Sequence, residues 1–339
     1  MQYASPWWLP GGHLQTIWPA LYSRRYAHAP AVWRRERWTT PDQDFVDVDF
    51  CESARADAAK PLLVLFHGLE GSSGSHYAQA FADWAQHHQC DLAVPHFRGC
   101  SGELNRGPRA YHSGDHEEIN WLLRRFRADH LAAGGQTLLA AGVSLGGNAL
   151  MRWAGEHGTQ AAASVDAVAS ICSPLDLTES GMAIGRGFNR QVYTRMFLRT
   201  MKPKALAKLV QHPGLFNPQK LMAARDLHEF DNVFTAPLHG FRDTEDYWRR
   251  ASAKPVMGSV GIPALALNAK NDPFVPASSL PQPADVSRHV TLWQPPHGGH
   301  VGFTQGSLPG HVRGLPDAVG GWLLKAAGEF HSQEVLHHG

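Results

Sequence analysis

The pentapeptide Gly142-Val143-Ser144-Leu145-Gly146 sets a serine between two glycines, directly after an apolar run at 138–143 and directly before a helical pattern. A tight strand-to-helix turn there would lift the hydroxyl clear of a sheet, and side chains two positions to either side would collide with the crossing backbone. Glycine at 142 and 146 removes the collision, so the spacing reads as a nucleophile elbow.

A serine hydroxyl is a weak nucleophile at neutral pH and needs a base, which in turn needs an orienting acid; on this kind of turn they follow in the order Ser, Asp or Glu, His. Asp272 stands after the apolar run 264–268 and before Pro273, where a loop at a strand end could present its carboxylate. A plain turn-capping role is the bland alternative for it, and Asp176, after an earlier strand, is the competing acid. His300 closes Pro295-Pro296-His297-Gly298-Gly299-His300, a rigid then permissive loop able to place an imidazole, with His297 as the alternative base. Two backbone N–H groups must also meet the oxyanion of a tetrahedral intermediate. Leu145, next after the nucleophile, supplies one, and Leu69 in His67-Gly68-Leu69-Glu70-Gly71 supplies the other.

The elements that must carry these residues follow from periodicity. Residues 46–50 alternate apolar and acidic, as in a half-buried antiparallel edge strand, whereas 61–66 are continuously apolar, as in a central parallel strand. Further buried strands are expected at 91–95, 137–143, 167–172, 264–268 and 290–293, with helices at 77–88, 117–130, 146–155 and 315–327. That alternation gives an α/β fold with a mostly parallel sheet covered on both faces. The regularity breaks over 175–260, which holds Arg-rich helical patterns such as 195–210 and reads as a helical cap inserted over the sheet. Its apolar residues Met182, Phe188, Met196, Phe197 and Leu198 are candidates to line an acyl pocket. The expected organisation is one domain over 1–339: an N-terminal extension to residue 45, core at 46–174, cap at 175–260, core at 261–330, and a polar tail at 331–339 that holds His331, His337 and His338. The extension carries Trp7, Trp8, Trp18, Trp33 and Trp38 and must pack on the domain, since so many free aromatics would form a sticky patch.

Composition excludes several other functions. Lys and Arg (31) nearly balance Asp and Glu (30), which leaves no excess charge to attract nucleic acid or an anionic membrane. The 4 cysteines form no Cys-x-x-Cys pair and suit a reducing cytoplasm. The 21 histidines show no zinc spacing, and no apolar stretch reaches the roughly 18 residues of a membrane span. No metal or organic cofactor is expected, and the composition is silent on oligomeric state.

Blocks beyond the elbow carry a resemblance: Pro6-Trp7-Trp8-Leu9-Pro10-Gly11-Gly12-His13-Leu14-Gln15-Thr16, then His96-Phe97-Arg98-Gly99-Cys100-Ser101-Gly102-Glu103, Tyr111-His112-Ser113-Gly114, and Gly299-His300-Val301-Gly302-Phe303. With them the chain resembles the YheT-like branch of the α/β-hydrolase superfamily, relatives of the abhydrolase-domain esterases and lipases, from Pro6 to about Trp322. The resemblance implies the α/β-hydrolase fold and hydrolysis of short- to medium-chain or acylglycerol-like carboxylic esters, with Ser144, Asp272 and His300 as triad. It also favours His300 over His297. The His-x-x-x-x-Asp motif that marks acyl transfer in such proteins does not occur in this chain. The expectation is a serine esterase with a small-molecule ester as its partner; the alternative is a catalytically silent binding protein or scaffold on the same fold.

Overall fold

The structure is a computed structural model and describes residues 2–27, 29–53 and 60–338, with the side chains of 331 and 333–338 outside the description. The strands are β1 (Arg34–Thr39), β2 (Phe45–Cys51), β3 (Leu62–Phe66), β4 (Asp91–Pro95), β5 (Leu138–Val143), β6 (Ala167–Ile171), β7 (Ala264–Leu267) and β8 (Val290–Trp293). They form one 8-stranded sheet in the order β1-β2-β4-β3-β5-β6-β7-β8. β2 pairs antiparallel with β1 and with β4, and every pairing from β4 through β8 is parallel.

Between β3 and β6 lie α2 (His76–His87), α3 (His116–Ala132) and α4 (Leu145–His157), and α12 (Gly314–His338) follows β8. Alternation along β3 explains its unbroken hydrophobicity. Leu62, Val64 and Phe66 pack with Ile119 and Leu122 of α3 and Leu150 and Trp153 of α4, while Leu63 and Leu65 face Phe81 and Trp84 of α2 and Leu323 of α12. Both faces of the sheet are therefore covered, as parallel strands require. α12 runs on through the segment expected as a polar tail, but His331, His337 and His338 lie outside the described side chains.

The antiparallel edge differs from its expectation. β2 is not the edge strand: β1 lies outside it, within the segment expected to precede all strands. Asp47 and Asp49 are only 2% and 3% exposed instead of facing water. Their charges are met by Arg37 at 2.7 Å and Arg35 at 2.6 Å from β1. Arg-Arg-Glu-Arg-Trp-Thr lacks an apolar alternation, and its Arg35 and Arg37 face the acids Asp49 and Asp47 across the ladder, so periodicity alone passes over it. Burial opposes ionisation of Asp49, yet hydrogen bonds from Arg35, His96 and Ser73 hold its carboxyl below the ordinary range.

The rest of the N-terminal segment contains α1 (Gly12–Leu21) and packs only in part as expected: Trp8 and Trp18 rest on the domain, whereas Trp7 is 92% and Tyr22 60% exposed. Trp8 and Trp18 stack edge to face at 5.9 Å and donate to the carbonyls of Gly306 and Pro309. Between β6 and β7 the chain forms α5 (Leu177–Ile184), α6 (Gly187–Asn189), α7 (Arg195–Gln211), α8 (Pro218–Ala223), α9 (Leu227–Val233), α10 (Thr235–Leu238) and α11 (Thr244–Ala251). These helices hold small apolar clusters of their own, one around Leu198, Leu221 and Phe230 and another around Leu177, Tyr247 and Trp248. Among the described residues no helix is long and apolar enough to cross a membrane.

Candidate active site

Ser144 occupies the turn between β5 and α4 with φ 54° and ψ −117°, a conformation that costs energy for a non-glycine residue and is held by the elements on either side. A Cβ on Gly142 would stand 2.5 Å from the Gly146 carbonyl oxygen, and one on Gly146 would stand 2.5 Å from the His67 carbonyl oxygen. Both glycines are thus required by close backbone approach rather than by their own dihedrals.

The Ser144 hydroxyl lies 3.0 Å from His300 Nε2, and His300 Nδ1 lies 2.8 Å from Asp272 Oδ2. A carboxylate only accepts, so Nδ1 carries the proton and Nε2 is left to accept from the serine hydroxyl. The other oxygen, Asp272 Oδ1, accepts from the amides of Phe274 at 2.8 Å and Val275 at 3.3 Å, which fixes the carboxylate plane. The Phe274 ring covers the imidazole at 4.2 Å between centroids. The two alternatives lie elsewhere: Asp176 caps α5 by accepting from the Glu179 amide at 3.2 Å, and His297 is exposed.

Several supports were not visible as such in the sequence. Thr16 of α1 accepts the His300 amide at 2.9 Å, and Gln15 Oε1 accepts from the Gly298 amide and from Asn271 Nδ2, both at 2.9 Å. The start of α1 is therefore clamped to the loops that carry His300 and Asp272. The Gly11-Gly12-His13-Leu14-Gln15-Thr16 block was their only signal, and it gave no partner. His76, at the start of α2, approaches the Val301 carbonyl at 3.1 Å; burial pushes its pKa down to about 4, so it is neutral and donates there.

Leu145 opens α4, so its N–H has no acceptor inside the helix. Gly68 passes against the nucleophile closely enough that an added Cβ would be 3.3 Å from Ser144 Cβ, which brings the next residue, Leu69, to the same opening. This loop is fastened at several points. His67, kept neutral by burial with its pKa lowered to about 3, accepts from the Phe97 amide at 3.0 Å and donates to the Gly68 carbonyl at 2.8 Å. Gly68 N–H donates to the Tyr77 hydroxyl at 2.8 Å. Glu70 accepts from Tyr111 at 3.1 Å and pairs with Lys204 of α7 at 2.8 Å, which ties the loop to the inserted helices.

A family model described as "alpha/beta hydrolase fold" matches residues 61–307. The YheT protein of Escherichia coli (strain K12), which carries an esterase name, is 38% identical over 313 residues, covering 92% of this chain and 89% of that protein. The chain belongs to the YheT-like branch of the α/β-hydrolase fold family. Two further relatives of this hydrolase are a mouse phospholipase, ABHD3, 28% identical over 83% of this chain and 68% of that one, and a monoacylglycerol lipase of Saccharomyces cerevisiae, 25% identical over 73% and 56%. Among solved structures, the Pyrococcus furiosus esterase Pf2001 superposes with TM-score 0.55 at 12% identity, covering 90% of this chain and 98% of that one. Est1E of Butyrivibrio proteoclasticus, solved with ferulic acid, gives 0.54 at 14% identity over 88% and 100%. At those identities the likeness is one of fold.

In this hydrolase Ser144, Leu69, Leu145 and His300 line a predominantly apolar cavity of about 170 Å³ beneath the inserted helices. Of the cap residues expected to line it, only Phe197 does. Met182, Phe188 and Met196 are 42%, 52% and 54% exposed, and Leu198 is buried among the cap's own helices. The cavity wall comes instead from Leu177, Ile184, Met201, Phe230, Phe234 and Trp248. The sequence singled out the apolar residues but not which way each helix turns them.

Proposed function

We propose that this hydrolase cleaves carboxylic esters with short to medium acyl chains through an acyl-enzyme on Ser144, with His300 as base, Asp272 as its orienting acid, and the segment 175–260 as a cap in a single domain. One observation carries the reading: the hydrogen-bonded chain Ser144–His300–Asp272, at 3.0 and 2.8 Å, opens onto an apolar cavity. The relatives named as monoacylglycerol lipase and phospholipase support an acyl ester of glycerol or glycerophosphate as the substrate class. The free cysteines support a reducing, cytoplasmic setting.

In this reading His300 Nε2 takes the Ser144 proton as Oγ bonds to the ester carbonyl carbon, and the C=O π pair moves onto oxygen. The Leu69 and Leu145 amides hold that oxyanion. As the C=O re-forms, the alkoxide leaves and takes the proton from His300. Water then attacks the acyl-enzyme, giving its proton to His300, which passes it to Ser144 as the carboxylic acid departs. The test is turnover of a p-nitrophenyl ester together with labelling by a fluorophosphonate. Wild-type protein should react with both, and Ser144→Ala with neither beyond the small rate that oxyanion stabilisation and binding alone provide. Near-wild-type turnover by Ser144→Ala would overturn the assignment.

A further inference from the structure

Between Ser180 and Arg225 every charged side chain is a lysine or an arginine, although the whole chain has a formal net charge of only +1. The near-neutral composition hides a local excess, and the fold concentrates it. Arg190, Arg195 and Arg199, from the π-helical turn Arg190–Thr194 and α7, face Arg225 across a surface groove that includes Leu198 and Ala224. Lys202 stands in the same groove and donates to the carbonyls of Met222 and Ala224 at 2.8 and 2.6 Å. Among the described residues none of the four guanidinium groups lies within ion-pair distance of a carboxylate. The surface arginines of β1 are used differently, since Arg35 and Arg37 are paired with Asp49 and Asp47.

A second observation specifies the partner. Phe188 of α6, Val192 of the π-helical turn, Met196 of α7 and Met222 of α8 are 52%, 36%, 54% and 53% exposed. Guanidinium forks fit phosphate oxygens, and a soluble phosphate or a nucleic acid backbone would be served by the groove alone. Exposed Phe, Met and Val in the same inserted segment as unpaired arginines suit a surface that offers phosphodiesters and acyl chains together. Another side of α7 sends Phe197, Met201 and Ala205 into the cavity that reaches Ser144. We propose that this arginine groove and the exposed apolar side chains of the same segment dock the inserted helices on an anionic phospholipid surface. Diester headgroups would sit among Arg190, Arg195, Arg199 and Arg225, with Phe188, Met196 and Met222 entering the headgroup boundary. Docking there would present the cavity to esters dissolved in the membrane.

The experiment is co-sedimentation of the full chain with vesicles of phosphatidylcholine alone and of phosphatidylcholine mixed with phosphatidylglycerol. The readout is binding, with the thermal unfolding midpoint as the folding control, so a failure of the esterase reading leaves this test intact. The protein should sediment with the mixed vesicles, remain in solution with neutral ones, and be released by raised salt. R195Q/R199Q should lower the partition coefficient about tenfold or more, and Met196→Ser should lower it at unchanged charge. Equal binding to both vesicle types, no binding, or full binding by folded R195Q/R199Q would overturn the proposal. Retention of inorganic phosphate without any vesicle binding would also overturn it, in favour of a soluble-anion site.

Discussion

The backbone amide of His300 donates to the hydroxyl of Thr16 at 2.9 Å across 284 positions of sequence. His300 is therefore held from two sides, by Asp272 through its ring and by α1 through its backbone. Thr16→Val keeps the volume but leaves a buried N–H without an acceptor, at a cost of about 1–3 kcal/mol. The expected outcome is a lower unfolding midpoint and a kcat reduced roughly tenfold with little change in KM, while Thr16→Ser stays near wild type. Steady-state kinetics of the three proteins check this, and an unchanged kcat in folded Thr16→Val would reduce the contact to packing.

That contact also marks where the sequence stops being legible. Ser144, Gly142 and Gly146 could be read because the elbow's constraints are local: one strand, one turn, one helix. β3 through β7 could be read because both faces of the sheet there are apolar and buried. Gln15 and Thr16 meet their partners 283 and 284 positions away, and nothing in their own neighbourhood encodes that. β1 stayed hidden because its arginines satisfy Asp47 and Asp49 instead of burying an apolar face. The inner wall of the inserted helices was unreadable for a related reason: which face of a helix turns inward is set by distant partners, so on α7 Met196 is exposed while Phe197, about 100° round the same helix, lines the cavity.

The choice of acid is open to a direct comparison. Asp272→Asn removes the acceptor that fixes the imidazole tautomer and should lower kcat by a factor of order 10⁴, the size seen in the protease template. Asp176→Asn retains a good helix cap and should leave turnover nearly unchanged. If the kinetics rank the two variants the other way, the acid is Asp176.

The elbow glycines should respond sharply to a single methyl group. In Gly142→Ala the new Cβ meets backbone at 2.5 Å on the Gly146 carbonyl, which cannot yield without moving β5 or α4. Loss of folded protein is expected. Gly321→Ala, inside α12 with nothing within 4 Å of the added Cβ, should instead raise stability by up to about 1 kcal/mol. Urea midpoints for the two variants give the contrast.

Asp231 predicts a pH-dependent stability. Burial raises its pKa to about 6, although Thr235 and Trp248 donate to it at 2.6 and 3.0 Å. Its folded pKa lies above the unfolded value near 4, so between about pH 4 and 6 the native state binds more protons than the unfolded chain. The stability from this group is present below pH 4 and is lost as pH rises through 6, a change on the order of a few kcal/mol. Asp231→Asn should remove that slope, so the stability of wild type relative to the variant should decline from pH 4 to pH 7 in urea titrations. Parallel pH profiles would show that Asp231 is not buried as an acid.

The cavity sets the last expectation, which concerns acyl-chain length. Its apolar walls include Leu177, Ile184, Met201, Phe230 and Trp248 from the inserted helices and Leu69, Tyr111 and Phe274 from the loops around Ser144 and His300. An acyl chain bonded to Ser144 would extend between these two sets. Each methylene that fits contributes up to about 0.8 kcal/mol, roughly fourfold in kcat/KM. The gain must end where the space of about 170 Å³ is filled, because close-packed walls yield only at a cost in strain. Across acetate to palmitate esters of one alcohol, kcat/KM should therefore climb, peak at short to medium chains, and fall. Met201 stands on the wall, so Met201→Ala should move the peak to longer chains and Met201→Trp to shorter ones, with the triad untouched in both. A flat profile would mean that the cap does not grip the acyl chain. A rise continuing to palmitate would mean an open groove, and a peak that both Met201 variants leave in place would put the acyl chain on another path.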